Sequence, residues 1–169
     1  MHCNINTETM HISRIMSDIV AKKLHSGKAI VLIGARQVGK TTLLKECLKG
    51  QENVLWMNGD NLDTRTLMAN ITVERYRSML GKNDIVVIDE AQRIEDIGLK
   101  SKLLTDNFPD VQLIITGSSS LDLANKVNEP LTGRKWEYRL FPLSYGELAA
   151  HYGAMQEWQK LPLRLVFGS

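Results

Sequence analysis

One short run of residues has the types and spacing that bind a polyphosphate. The Walker A pattern, a glycine and four further residues before Gly-Lys-Thr, is met by Gly34-Ala35-Arg36-Gln37-Val38-Gly39-Lys40-Thr41. An apolar segment comes directly before this run and an amphipathic segment directly after it, as a strand-loop-helix unit requires. The predicted phosphate-binding residues are Gly34, Ala35, Arg36, Gln37, Val38, Gly39, Lys40, Thr41 and Thr42.

Each position of this loop has a physical reason. Gly34 and Gly39 let the backbone turn tightly and approach a ligand, because no Cβ is in the way. The N–H groups of residues 35–42 are expected to point into one concavity at the positive end of the following helix. Lys40 brings a positive charge to the β and γ phosphates, and the Thr41 hydroxyl can enter the oxygen shell of Mg²⁺. The predicted ligands are a nucleoside triphosphate and Mg²⁺.

Two adjacent acids follow an apolar segment further along the chain. Residues 85–88 (Ile-Val-Val-Ile) predict a buried strand that ends at Asp89 and Glu90. Ligands of open α/β sheets bind at the carboxyl ends of strands, so Asp89 is predicted to orient the Mg²⁺ shell, directly or through water. Glu90 is predicted to polarise a water molecule for in-line attack on the γ phosphorus.

Two further positions could contact the γ phosphate. The strand predicted at residues 111–116 runs into a serine cluster, where Ser118 is the first choice and Ser119 the second. These serines could instead cap a helix. The guanidinium of Arg134 could stabilise transition-state charge, from the same chain or from a neighbouring one, and an exposed structural role is the alternative. The predicted catalytic residues are Lys40, Glu90, Ser118 and Arg134.

Helix and strand patterns alternate along the chain. Apolar residues at helical spacing predict helices over residues 12–24, 41–49 and 73–80. Short, mainly apolar runs predict strands over residues 30–33, 54–57, 85–88 and 111–116, and residues 136–140 predict a fifth strand. Strands of this kind are covered on both faces, which indicates a three-layer α/β domain with a parallel sheet between helices.

Capping residues indicate where one helix begins. Ser144 and Glu147 have capping-box spacing and predict a helix that begins at about Tyr145 and runs into the 150s. Pro162 is expected to break the helical pattern that follows.

The composition is that of an ordinary globular domain and excludes several other classes. The chain has 169 residues, of which 43% are hydrophobic and 24% charged, and a net charge of +2. That charge gives little support for holding nucleic acid or an acidic membrane surface. No apolar run approaches the roughly 18 residues of a membrane span, and residues 1–9 lack the pattern of a secretory signal. Cys3 and Cys47 have no partner spacing, which favours a reducing, cytoplasmic setting.

Four ordered motifs resemble a prokaryotic family of AAA-superfamily ATPases. They are Gly-Ala-Arg-Gln-Val-Gly-Lys-Thr-Thr, Ile-Asp-Glu-Ala-Gln, Thr-Gly-Ser-Ser-Ser and Leu-Thr-Gly-Arg-Lys, and the likeness runs from about residue 12 to residue 169. The resemblance implies a P-loop NTPase with a mostly parallel five-stranded sheet in the order 5-1-4-3-2, and ATP as the nucleotide. It also implies an ATPase core over residues 1–152, with residues 153–169 as the start of a following segment whose remainder is missing.

The prediction that follows is an Mg²⁺-dependent ATPase that forms ADP and phosphate. In the intact protein, hydrolysis would drive a conformational switch in a partner domain or a homo-oligomer. A nucleotide-binding regulatory module with little turnover is the alternative, and a P-loop phosphotransferase ranks last. We predict no membrane association, and the residues by themselves do not separate ATP from GTP.

Overall fold

The computed structural model describes residues 12–118 and 121–167 of the chain. Its strands are β1 (Ala29–Gly34), β2 (Val54–Asn58), β3 (Ile85–Asp89), β4 (Gln112–Gly117) and β5 (Lys135–Leu140). Its helices are α1 (Ile15–Ala21), α2 (Lys40–Cys47), α3 (Leu62–Ala69), α4 (Val73–Leu80), α5 (Ile97–Asn107), α6 (Leu121–Asn128), α7 (Tyr145–Tyr152) and α8 (Ala154–Phe167). A 3-10 turn, Ala91–Arg93, follows β3. None of these helices has the length and apolar character that crossing a membrane requires.

The strands form one parallel sheet in the order β2-β3-β4-β1-β5. Read from the opposite side, this is the predicted order 5-1-4-3-2, so the predicted fold is confirmed. Because every strand runs in the same direction, all the strands end at one edge, called here the carboxyl edge. They all begin at the opposite edge, called here the amino edge.

Apolar side chains cover both faces of the sheet. On one face the strands pack against α1 and α2, and the buried residues are Val20, Ile30, Leu32, Leu43, Leu44, Leu48, Ile85, Val87, Ile114 and Leu140. On the other face they pack against α3 to α6, with buried residues that include Val31, Ile33, Met68, Tyr76, Val86, Ile88, Leu104, Ile115, Leu123 and Val127. The predicted three-layer architecture follows from this burial on both sides.

Residues 16–142 form one compact unit, which contains the whole sheet. Helix α4 has the predicted bounds, whereas α1 is shorter than the predicted 12–24. The chain leaves α1 through turns, and His25 has a left-handed φ of 54°. Helix α3 was not predicted from the sequence, and its buried residue is Met68.

Residues 12–15 and 143–167 belong to a second compact unit. The predicted capping box starts α7: Ser144 Oγ accepts from Glu147 N at 3.2 Å, and Glu147 Oε2 accepts from Ser144 N at 2.8 Å. Arg14 Nε donates to the other oxygen of the same carboxylate at 3.0 Å. The capping prediction for this helix is therefore confirmed.

Helix α8 continues through Pro162, contrary to the expected break. A proline inside a helix removes one backbone hydrogen bond and usually breaks or kinks it. Here Arg164 donates from Nε and Nη2 to the buried Glu157 carboxylate at 2.7 Å and 3.0 Å. This pair bridges the proline along the helix and helps to hold both halves in one element.

Candidate functional site

The glycine loop, residues 34–42, connects β1 to α2 at the carboxyl edge. The strand ends at Gly34 and the helix begins at Lys40, in agreement with the strand-loop-helix prediction. Gly39 has a φ of 95°, a conformation that glycine adopts without steric cost. A Cβ on Gly34 would lie 2.6 Å from the carbonyl oxygen of Leu140, so the loop can pass the end of β5 only with glycine there.

The Lys40 ammonium is folded back over the glycine loop. The residue is only 4% exposed, and its Nζ donates to the carbonyl oxygens of Gly34 at 3.0 Å and Ala35 at 2.9 Å. The same Nζ lies 3.9 Å from Glu90 Oε1. A buried ammonium needs compensating partners, and here backbone dipoles provide them. An anionic ligand could replace those dipoles.

Asp89 ties the glycine loop to two strand ends. Thr41 Oγ1 donates to Asp89 Oδ2 at 2.7 Å. The other carboxylate oxygen accepts from the Thr116 hydroxyl and from Glu90 N, the latter at 3.1 Å. Thr41 and Asp89, both predicted metal ligands, are therefore in contact. Thr116 was not predicted as a site residue. Its position near the end of β4, the strand beside β3, could have indicated it.

Glu90 and Ser118 are joined by a residue that sequence reasoning missed. Glu90 leaves β3 with a left-handed φ of 48°, which turns the chain into the 3-10 turn. Gln92 Nε2 then donates to Glu90 Oε2 at 2.6 Å and to Ser118 Oγ at 3.2 Å. The available signal was its position in Ile-Asp-Glu-Ala-Gln, two residues after Glu90.

The remaining predicted loop residues differ in exposure. Ala35, Arg36, Gln37 and Thr42 are exposed, whereas Val38 and Gly39 are half-buried. Their contacts with a phosphate stay predictions. Ser119, the second-choice serine, lies outside the described residues.

Arg134 lies at the amino edge, away from the glycine loop. Its carbonyl oxygen accepts from Ala29 N at 2.9 Å, at the start of β1, whereas the glycine loop follows the end of β1. Its Nε pairs with Asp106 at 2.8 Å. Because β5 runs parallel to β1, the structure does not bring Arg134 to the glycine loop of its own chain. Contact from a neighbouring chain stays a prediction.

The donor set around Asp89 suits a hard cation. Mg²⁺ prefers oxygen ligands and, beside nucleotides, takes one or two protein groups while phosphate and water oxygens complete its octahedron. The Thr41 hydroxyl and the Asp89 carboxylate are two adjacent oxygen donors. Within residues 12–118 and 121–167, no group of three or more His, Cys, Asp or Glu side chains could hold a metal. The residues therefore fit an Mg²⁺ ion that is shared with a ligand.

A cavity of about 440 Å³ lies at the amino edge. Its lining includes His25, Lys28, Phe108 and Gln112, none of which belongs to the glycine loop or to the strand ends beside it. Gln112, one of its polar lining residues, is already bonded to the backbone of Lys28 and His25. The predicted phosphate-binding and metal-binding residues lie at the carboxyl edge.

Residues 26–149 match the AAA domain family, and this span contains the glycine loop, Asp89, Glu90 and Ser118. The chain belongs to the AAA domain family. Membership supports a nucleotide-binding function of the ATPase type and confirms the resemblance drawn from the four motifs.

Two curated relatives of this AAA domain chain come from mycobacteria. They are the uncharacterized proteins Rv2008c of Mycobacterium tuberculosis and Mb2031c of Mycobacterium bovis. Each is 31% identical over 114 residues, which is 67% of this chain and 25% of the relative. The chain thus spans about a quarter of the length of the curated relatives that it matches.

Solved structures of helicases share the fold of the AAA domain. The Pif1 helicase from Candida albicans superposes with a TM-score of 0.56 at 15% identity, over 90% of this chain and 44% of the helicase. A structure of two coordinating Pif1 helicases on forked double-stranded DNA gives a TM-score of 0.52 at 12% identity, over 80% and 45%. At these identities the likeness is one of fold.

Proposed function

We propose that the chain binds ATP with Mg²⁺ and hydrolyses it to ADP and phosphate. The observation that carries the proposal is the 2.7 Å hydrogen bond between Thr41 Oγ1 and Asp89 Oδ2, because it joins the glycine loop to a carboxylate at a strand end. The neighbours of this pair in sequence, Lys40 and Glu90, bring an ammonium and a carboxylate 3.9 Å apart at the same place. The choice of ATP over GTP rests on the motif resemblance.

Binding would begin with an exchange of partners at Lys40. Its ammonium now donates to the carbonyl oxygens of Gly34 and Ala35. Phosphate oxygens carry negative charge, so they attract the ammonium by a charge–charge interaction that neutral carbonyl oxygens do not offer. The N–H groups at the start of α2 add the positive end of the helix dipole. Residues 34–42 are thus proposed to hold the triphosphate.

Glu90 is the proposed general base. It accepts a proton from a water molecule, whose oxygen bonds to the γ phosphorus while the bond to the β–γ bridging oxygen breaks and ADP leaves. Lys40 and Ser118 hold oxygens of the γ phosphate during this transfer. Thr41 and Asp89 would hold Mg²⁺, which when bound supplies positive charge to the β and γ phosphates.

In the intact protein, we propose that hydrolysis drives a conformational switch in a partner domain or in a homo-oligomer, in the cytoplasm. Arg134, exposed at the amino edge, would act on the γ phosphate of a neighbouring chain. Residues 1–152 would form the ATPase core and residues 153–169 would begin a following segment.

A nucleotide-binding module with little turnover is the second candidate. It is favoured by the hydrogen bonds that already engage both reactive groups, Lys40 on its own loop and Glu90 by Gln92. ATP would then act as a regulatory ligand. A phosphotransferase ranks below both, because the carboxylates at the end of β3 suit attack by water.

The deciding experiment compares phosphate release from Mg·ATP by the wild type and by Glu90→Gln. We expect release to fall by about 10²- to 10⁴-fold, with ATP affinity by calorimetry kept, because only the proton acceptor is lost. The matched control is Glu129→Gln, an exposed carboxylate beyond α6, which should change neither quantity. Equal release by wild type and Glu90→Gln would favour the passive module. ADP formed without free phosphate, after an acceptor is added, would favour phosphotransfer.

A further inference from the structure

The Gln92 carboxamide occupies the space between two proposed catalytic residues. Its Nε2 donates to Glu90 Oε2 at 2.6 Å and to Ser118 Oγ at 3.2 Å. These two partners follow the neighbouring strands β3 and β4. One amide nitrogen therefore connects the group proposed to take a proton from water with the group proposed to contact the γ phosphate.

The backbone beneath Gln92 is held in place. Ala91, the first residue of the 3-10 turn, and Ile94, the residue after it, are buried in the core, and Ile94 N donates to the carbonyl oxygen of Ala91 at 3.0 Å. Lys126 of α6 donates to the carbonyl oxygen of Gln92 at 3.2 Å. The side chain thus projects from a fixed base, as a positioning group requires.

The orientation of the carboxamide is set by the anion that it faces. Gln92 Oε1 is buried and makes no hydrogen bond within the described residues, while Nε2 makes two bonds. If the amide were turned over, Oε1 would face the Glu90 carboxylate. Both groups only accept hydrogen bonds, so no bond could form between them. A buried amide oxygen without a donor opposes folding. The placement is therefore better explained by its effect on Glu90 than by core stability.

The end of β4 is shaped to fit this side chain. A Cβ on Gly117 would lie 2.5 Å from Gln92 Oε1 and 2.4 Å from Leu123 Cδ2. Glycine just before Ser118 thus leaves the room in which the carboxamide lies.

We propose that Gln92 is a positioning residue that aims the Glu90 carboxylate at the attacking water and couples it to γ-phosphate contact at Ser118. This inference rests on the proposed function. Because Gln92 is proposed to act through Glu90 and Ser118, its removal should slow the chemical step without weakening nucleotide binding. Because Gln92 is bonded to Ser118, the effects on kcat of changing these two residues should not be additive.

The test measures kcat, KM and ATP affinity for Gln92→Met, which keeps the length of the side chain and removes the donor. We expect kcat to fall by about 10- to 100-fold, because small errors in the orientation of a reacting group have effects of this size. KM and the calorimetric Kd should stay within about twofold. Gln92→Leu also removes the donor without adding a charge, so it provides a second reading if the methionine variant does not fold.

Two matched controls receive the same change elsewhere. Gln112→Met removes a buried, hydrogen-bonded amide at the amino edge and should lower the Tm with kcat kept. Gln156→Met changes an exposed residue of α8 and should alter neither. In the double variant of Gln92→Met with Ser118→Ala, kcat should fall little further than in the worse single variant.

Several outcomes would overturn the inference. Wild-type kcat in Gln92→Met, a parallel loss of kcat and ATP affinity, or multiplicative losses in the double variant would each do so. Absence of phosphate release by the wild type would overturn the proposed function and this inference together. Normal release by the wild type with unchanged release by Gln92→Met would remove only the inference.

Discussion

The two edges of the sheet use polar side chains in different ways. At the amino edge, Gln112 accepts from His25 N at 2.7 Å and donates to the carbonyl oxygens of Lys28 at 3.0 Å and Leu113 at 2.9 Å. At the carboxyl edge, the Lys40 ammonium donates to carbonyl oxygens of its own loop. The first arrangement joins separate segments of the backbone, whereas the second holds a charge in a loop.

The two edges differ in how far the fold itself already uses their hydrogen-bonding groups. The bonds of Gln112 consume its donors and its acceptor in building the fold, although a cavity lies beside it. The carbonyl acceptors of Lys40 belong to its own loop and could be exchanged for an anion. We therefore expect an anionic ligand at the carboxyl edge, where the Lys40 ammonium is held by carbonyl oxygens of its own loop.

Removing a lysine at each edge should give the largest difference in phosphate release. Lys40→Ala should lower phosphate release from Mg·ATP by at least about 100-fold, because a cation on the γ phosphate is lost. Lys28→Ala removes an ammonium at the amino edge, 4.7 Å from the Trp136 ring centre, and should leave release unchanged. A colorimetric phosphate assay decides it, and equal rates for the two variants would refute the comparison.

The next effect concerns stability at the amino edge. Gln112→Met should cost about 2 kcal/mol, since His25 N and the carbonyl oxygens of Lys28 and Leu113 lose their partner. For a chain of this size the Tm should fall by about 4–8 °C. Calorimetry measures the Tm, and kcat should be kept. A lower kcat at an unchanged Tm would mean that this edge also takes part in function.

Glu147 offers a purely structural carboxylate to set against Asp89, since both are 8% exposed. Burial raises the pKa of Glu147, but hydrogen bonds from Ser144 N, Ile15 N and Arg14 outweigh burial, so the pKa is below its ordinary value of 4.5. A lowered pKa contributes stability above the ordinary value, and this stability is lost as the pH falls through the folded pKa.

Glu147→Gln should therefore cost about 1 kcal/mol at pH 7 and flatten the fall in stability below about pH 4.5. Denaturant unfolding at a series of pH values measures both effects. An unchanged acid dependence in the variant would contradict the role given to this carboxylate.

The smallest change in stability is expected at Arg134. The side chains of its pair with Asp106 are 49% and 37% exposed, so Arg134→Ala should change the free energy of unfolding by less than about 1 kcal/mol. A loss of phosphate release that grows with protein concentration would support contact from a neighbouring chain. The same loss at every dilution would contradict the placement of Arg134 at the amino edge.

Local pattern was sufficient for most of the fold because the central strands are mainly apolar. β1, β3 and β4 follow the predicted runs to within about one residue, and the capping box of Ser144 and Glu147 starts α7 as expected. α3 was missed because Leu62 and Leu67 are exposed, which leaves its apolar face narrow. The break predicted at Pro162 was wrong. The ion pair of Glu157 with Arg164 spans the proline, and local helix propensity does not reveal such a pair.

The glycine loop and the acids Asp89 and Glu90 were predictable from local spacing, because one strand-loop-helix unit and one strand end need no distant partner. Only the tertiary structure decided that Thr116 bonds Asp89, that Gln92 joins Glu90 to Ser118, and that Arg134 lies at the other edge. These contacts depend on which strands are neighbours and on the direction in which each one runs. Neither property is encoded in the spacing of a single motif.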